Sequence, residues 1–295
     1  MRKLMALLLA LVLLCSSAGF AEALENAPAT ADAPATADAA TGEAAEAEGP
    51  VVLTPAEIAL SGRPVSEEPT HITVGNTTKV SGDFFTSMWS NNTSDIDVRT
   101  MIHGYSPVVW DSQVEFVLDH MVVENVEGAA DGANTIYTVT LQDDLVYSDG
   151  ETPITAADYV FSYLLCASDE VAQLGAQTRQ YEHIVGYEEY ASGESDVFTG
   201  VRLLDTYTYS ITVKGSYEPF FYNYAYLRTN PYPISVLAPE CEVADDGNGA
   251  YLRSIEETGY MSHPALTSGP YTLTAYDEES GQVDFAIQPL LQGQL

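Results

Sequence analysis

The side chains best suited to acid–base or metal chemistry in this chain are five dispersed histidines, His71, His103, His120, His183 and His263. His120 and Glu124 stand at a spacing that would place both on one helical face. Two ligands do not make a metal site, so a structural or surface histidine is the simpler reading. Asp245-Asp246-Gly247-Asn248, with Glu256 beyond, has the carboxylate density of a calcium loop. Such a loop needs glycine at its sixth position, where Ala250 or Tyr251 stands, so the stretch reads as a surface turn. There is no His-Glu-x-x-His, no Gly-x-Ser-x-Gly and no phosphate-loop glycine pattern. The sequence therefore assigns no catalytic residue, no metal and no cofactor, and the chemistry left is recognition. One short stretch gathers Phe84, Phe85, Trp89, Asn91 and Asn92. Amides pair well with the backbone groups of an extended ligand, and ligands of open α/β sheets sit beyond strand ends. The loop after the first strand is thus the candidate site, with core packing as the competing role of Phe84, Phe85 and Trp89.

Composition narrows the partners. The 295-residue chain is 46% hydrophobic, enough for one large or two smaller domains. A formal net charge of -33 with only 10 lysines and arginines excludes nucleic acid, whose phosphates need cations, and disfavours anionic membrane surfaces. The acidity suits solubility outside the cell; a field that draws cationic or amino-terminal ligands is the functional alternative.

Arg2 and Lys3 precede an apolar run from Leu4 to Leu14, and Ala21-Glu22-Ala23 offers a small-x-small cleavage site, the pattern of an export signal over 1–23. Residues 24–70 begin as an acidic Ala/Pro/Thr-rich tract, with no lysine, arginine or aromatic residue from Leu24 to Pro50, and read as a disordered linker. Thr54-Pro55-Ala56-Glu57 could cap a short helix within it. Folded structure is expected from His71. Cys166 and Cys241 lack metal-ligand spacing; two buried thiols are expected, a disulfide being permitted by the compartment without being implied.

The elements that must position a recognition surface are legible in places. Asp149-Gly150 predicts a tight turn, and Thr155 with Asp158 predicts a capped helix from Ala156. Ala156, Tyr159, Val160, Tyr163, Leu164 and Ala167 recur on one face of that helix, which is expected to be its buried side. Tyr207, Tyr209, Ile211 and Val213 alternate with Thr208, Ser210 and Thr212, the two-residue period of a strand, and Tyr137, Val139 and Leu141 do likewise. Residues 271–276 and 282–288 predict a hairpin around Asp277 to Gly281.

The segment Tyr147 to Tyr163, reading Tyr-Ser-Asp-Gly-Glu-Thr-Pro-Ile-Thr-Ala-Ala-Asp-Tyr-Val-Phe-Ser-Tyr, resembles the family 5 extracellular solute-binding proteins, oligopeptide and dipeptide receptors of ABC importers. Gly200 to Val213 looks like the family's strand after its inserted subdomain, Tyr217-Glu218-Pro219-Phe220-Phe221 like the following helix start, and Thr267 to Tyr271 like its Gly-x-Tyr strand entry. Glu151 is an insertion relative to the common spacing and should only lengthen a surface loop.

The resemblance implies an α/β, periplasmic-binding-protein-like fold: lobe I from 71–103 and 198–295, and an inserted α/β subdomain over 104–197. A missing second lobe is the expectation, since the stretch from Gln288 to Gly293 resembles the point where the family runs on across its hinge, departing from that pattern at Gln288 and Leu291, before Leu295. It further implies a substrate-binding component working with an ABC permease in the membrane, its ligand a peptide or other small solute. Localisation is exported: extracellular, cell-surface or periplasmic. A lipid anchor at Cys15 is disfavoured because Leu14 replaces the small residue of a lipobox. Asn92 aligns with the family's peptide-facing rim, and Ser268 and Gly269 would flank the same cleft. The ligand-binding set is thus Phe84, Trp89, Asn91, Asn92, Ser268 and Gly269. The alternatives are a non-transporting surface or protein-interaction module, and a secreted hydrolase, for which no nucleophile–base pair is displayed.

Overall fold

A computed structural model describes residues 71–288, apart from 87, 89–91, 174, 178–179, 219–221 and 254–264. The expected signal segment, linker and Thr54 helix, the candidates Trp89 and Asn91, Glu256 and the post-Gln288 segment lie outside the described residues.

The first regular element is α1 (Thr93–Ile102). Residues 71–80 precede it without forming a strand, so the candidate loop does not follow one, and the first described strand is β1 (Val108–Trp110). β1 pairs antiparallel with β2 (Phe116–Leu118). β3 (Val123–Asp131) turns through Gly132 and Ala133 into β4 (Asn134–Leu141). Gly132 has φ of 61°, the left-handed conformation that a two-residue hairpin demands and glycine adopts without strain. His120 lies in a turn and Glu124 on β3, so the helical pairing suggested by their spacing does not exist.

The predicted capped helix is α2 (Ala156–Ala167), followed by α3 (Asp169–Gln173) and α4 (Tyr187–Ala191). At its start the Thr155 N–H donates to the Asp158 carboxylate at 2.8 Å, and the Thr155 hydroxyl does so at 3.1 Å. Burial extends beyond the single face that periodicity indicated: Phe161, Ser162, Leu165 and Cys166 are buried too. The reason is that α2 packs on strands and on α4, and the Ser162 hydroxyl donates to the Asn230 carbonyl at 2.7 Å. A helix enclosed on all sides loses its amphipathic signature.

β5 (Val201–Leu203) and β6 (Thr208–Val213) complete a four-stranded antiparallel sheet in the order β3-β4-β6-β5. In β6, Tyr209, Ile211 and Val213 are fully buried, as their alternation required. Tyr159 of α2 stacks on Tyr209 with centroids 5.6 Å apart. Where the resemblance implied a helix start after Tyr217, two 3-10 turns, Gly215–Tyr217 and Asn223–Leu227, stand on either side of the undescribed 219–221. A single helical turn, α5 (Ile234–Leu237), precedes the hairpin β7 (Glu242–Asp245) and β8 (Ala250–Arg253). The predicted hairpin near the end is β9 (Tyr271–Asp277) with β10 (Gln282–Ile287).

Two hydrophobic clusters organise these elements. The larger surrounds α2 and draws on residues from Phe85 to Ala250. The smaller joins Val80, Phe84, Val98 and Ile102 to Leu273, Tyr276, Val283 and Phe285 of the β9–β10 hairpin. Because β4 hydrogen-bonds to β6, the four-stranded sheet crosses the boundary expected at 197/198. One hydrophobic cluster joins the α1 region to the final hairpin, and the other takes in most of the described part of 104–253.

Candidate ligand-binding surface

The candidate loop is held by one polar stripe of α1. Asp95, Arg99 and His103 stand four residues apart, a spacing that stacks side chains on one helical face. The Asp95 carboxylate accepts from the Ser81 N–H at 2.8 Å and the Ser81 hydroxyl at 2.6 Å. Arg99 Nη1 donates to the Asp83 carbonyl at 2.6 Å and the Thr86 carbonyl at 3.1 Å, with the Asp83 carboxylate at 3.5 Å. His103 Nε2 lies 2.9 Å from the Phe84 carbonyl, which can only accept, so the ring N–H donates there. Burial pushes the His103 pKa down to about 4, so the ring is neutral and has no access to solvent as an acid or base.

The structure brings the expected residues to this region in different roles. Asn92 is the N-cap of α1: its side-chain oxygen accepts from the Asp95 N–H at 2.9 Å and its amide nitrogen donates to the Asp95 carboxylate at 2.5 Å. Phe84 is fully buried in the smaller cluster, edge-on to Tyr276 at 4.9 Å. Phe85 is equally buried, 5.5 Å from Tyr232 and 5.6 Å from His103. Both rings take the core-packing role that competed with ligand contact. Ser268 and Gly269 are also buried, and their N–H groups both donate to the Ile102 carbonyl, at 3.1 and 2.9 Å. The Ser268 hydroxyl accepts from the Gly104 N–H at 3.1 Å. A Cβ on Gly269 would lie 2.5 Å from the Ile102 carbonyl carbon, so only glycine permits this approach of two backbones. These two residues weld the end of α1 to the entrance of β9.

A second wall comes from the stretch after α3. The Gln177 N–H donates to the Met88 carbonyl at 2.8 Å, and the Tyr181 and Thr229 hydroxyls share a hydrogen bond of 2.9 Å. Met88 of the candidate loop is therefore held by the Gln177 N–H, while α1 holds Ser81, Asp83, Phe84 and Thr86. Sequence reasoning missed the Asp95/Arg99/His103 stripe, although its four-residue spacing was available as a signal. The hydrogen bonds of Asp95, Arg99 and His103 fix the backbone of 81–86, the stretch that leads toward Asn92.

Elsewhere, Asp245 grips Arg202 in a two-pronged ion pair of 2.8 and 3.0 Å, and the Asp246 carboxylate closes the following turn by accepting from the Asn248 and Gly249 N–H groups. That stretch is a turn between β7 and β8. Among the described residues no group of three or more His, Cys, Asp and Glu could hold a metal ion, and no helix is long and apolar enough to cross a membrane.

Comparison with known proteins gives this geometry a setting. The family model described as bacterial extracellular solute-binding proteins, family 5 middle, matches residues 126–286, more than half of the chain. The chain belongs to the family 5 bacterial extracellular solute-binding proteins. The periplasmic oligopeptide-binding protein OppA of Escherichia coli strain K12 is 31% identical over 103 residues, covering 35% of this chain and 19% of that protein. Its Salmonella typhimurium counterpart is 29% identical over the same length. Solved structures that superpose include Haemophilus influenzae OppA in complex with RPPGFSPFR, at 18% identity and TM-score 0.49, covering 70% of this chain and 36% of that one. Listeria monocytogenes OppA bound to peptide matches at 15% identity and TM-score 0.46, covering 68% and 35%. The chain thus spans about a fifth of the curated relatives and about a third of the solved ones. The curated relatives are named as oligopeptide-binding proteins.

Proposed function

We propose that this chain is the exported substrate-binding component of an ABC importer for oligopeptides, working with a membrane permease. Family membership over residues 126–286 is the observation that carries the reading, and relatives named as oligopeptide-binding proteins favour peptides over other solutes. The hydrogen bonds by which Asp95, Arg99 and His103 position the 81–86 backbone agree with it, because a backbone placed before binding needs less ordering when a peptide docks. In this reading Trp89, Asn91 and the backbone around Asn92 face the peptide. Phe84, Ser268 and Gly269 contribute by holding that rim from behind.

The test is calorimetry of the full chain against di- to octapeptides. Saturable heats for at least one length class are expected, weakened by Trp89→Ala and left intact by Gly75→Ala, a position with no neighbour within 4 Å of an added Cβ. Failure to bind any peptide would remove the transport reading.

A further inference from the structure

A concavity of about 460 Å³ lies between β2, β3 and the 3-10 turn Asn223–Leu227, on residues with no part in the rim described above. Phe116, Tyr137, Tyr222 and Tyr224 line it together with Glu115 and Gly128. Trp110 extends the aromatic wall: its ring lies 3.8 Å from that of Phe116 and 6.0 Å from that of Tyr222. Trp110 is 48% exposed and Tyr224 37%, although rings of this size normally bury most of their area. Gly128 keeps the floor open, presenting no side chain over the Tyr137 ring that an added Cβ would approach at 3.6 Å.

The charges around this groove share one sign. Glu115 lines it and is exposed. Glu218, behind the floor, accepts from the Tyr137 hydroxyl at 2.7 Å and from the Thr135 hydroxyl. None of the described lining residues is a lysine or arginine. The described ion pairs, Arg99–Asp83, Arg202–Asp245 and Lys214–Glu188, involve neither Glu115 nor Glu218. Exposed aromatic faces beside carboxylates with no cation partner are what an organic cation selects: the ring quadrupole attracts it and the carboxylate neutralises it. The groove is open at its side, so it suits a cationic side chain carried on an extended segment.

We propose that this groove is a docking site for a basic peptide segment, with a guanidinium or ammonium group seated between Phe116 and Tyr224 and facing Glu115. The site is separate from the Asn92 rim and does not depend on the transport reading. The test is fluorescence anisotropy of the full chain with fluorescein-labelled Gly-Arg-Gly-Arg-Gly, its lysine counterpart and its glutamine counterpart. The arginine and lysine peptides should bind and the glutamine peptide should not. Glu115→Gln and Tyr224→Ala should each weaken the affinity about three- to fivefold, and Tyr224→Phe, which keeps the ring, should bind like the parent. Non-specific attraction to a chain of net charge -33 would scarcely respond to one carboxylate, so unchanged affinity in Glu115→Gln would overturn the proposal. Equal binding of the glutamine peptide, or displacement by an uncharged oligosaccharide, would do the same. Loss of binding in Asn92→Ala with none in Tyr224→Ala would assign the basic peptide to the rim and also refute the groove.

Discussion

His103 closes a stripe that begins with Asp95 and passes through Arg99, and each member holds a different point of the 81–86 backbone. Because it is buried, its pKa falls from 6.5 to about 4, and His183, packed on Tyr226 at 4.8 Å, is lowered to about 4 for the same reason. Both take up a proton more readily in the unfolded chain than in the folded one. Stability therefore declines as pH drops from about 6.5 toward about 4, by at most about 3 kcal/mol per histidine, and levels off below that window as both states become protonated. A His103→Gln variant retains an N–H for the Phe84 carbonyl and removes the titration. Its urea midpoint should change less between pH 6.5 and 4.5 than that of the parent; identical slopes would show that His103 is not buried neutral.

At the scale of elements, α2 shows what local sequence does and does not disclose. Its cap was readable because Thr155 and Asp158 interact within three residues, and Asp158→Ala should lower stability by about 1 to 2 kcal/mol in chemical denaturation. A loss of a few tenths would mean that the cap is incidental. The β9–β10 hairpin and the buried face of β6 were readable for the same reason, a short-range period with turn residues beside it. What escaped depends on distant partners. The bond from the Gly104 N–H to Ser268 joins residues 164 apart, so nothing near Ser268 signals that it is buried. The β4–β6 pairing that crosses the expected 197/198 boundary is likewise invisible to any local window. Asn92, expected on the ligand-facing rim, is the N-cap of α1, a role that its place just before the helix allows.

For the molecule as a whole, the two hydrophobic clusters differ greatly in extent. The one around α2 is continuous over most of 104–253, while the one beneath α1 rests on four buried side chains and the inner face of the β9–β10 hairpin. Fewer buried apolar contacts mean a lower free energy of local opening. Hydrogen exchange read by mass spectrometry should find the amides of 93–102 and 271–287 exchanging faster than those of 156–167 and 208–213. Uniform protection across all four segments would show that the clusters open as a single cooperative unit. The weaker cluster is the one that carries the clamp on the candidate rim, so the surface proposed to meet a ligand is coupled to the less stable part of the fold.

Cys166 on α2 and Cys241 just before β7 are both buried, and burial raises the Cys166 thiol to about 12. Alkylating reagents attack the thiolate, which Cys166 cannot supply at neutral pH while α2 stays enclosed. Cys166 is consequently silent toward maleimides and iodoacetamide in the intact core, and every labelled Cys166 records one excursion in which α2 lost its cover. The protein carries its own gauge of opening, in place without any engineered probe.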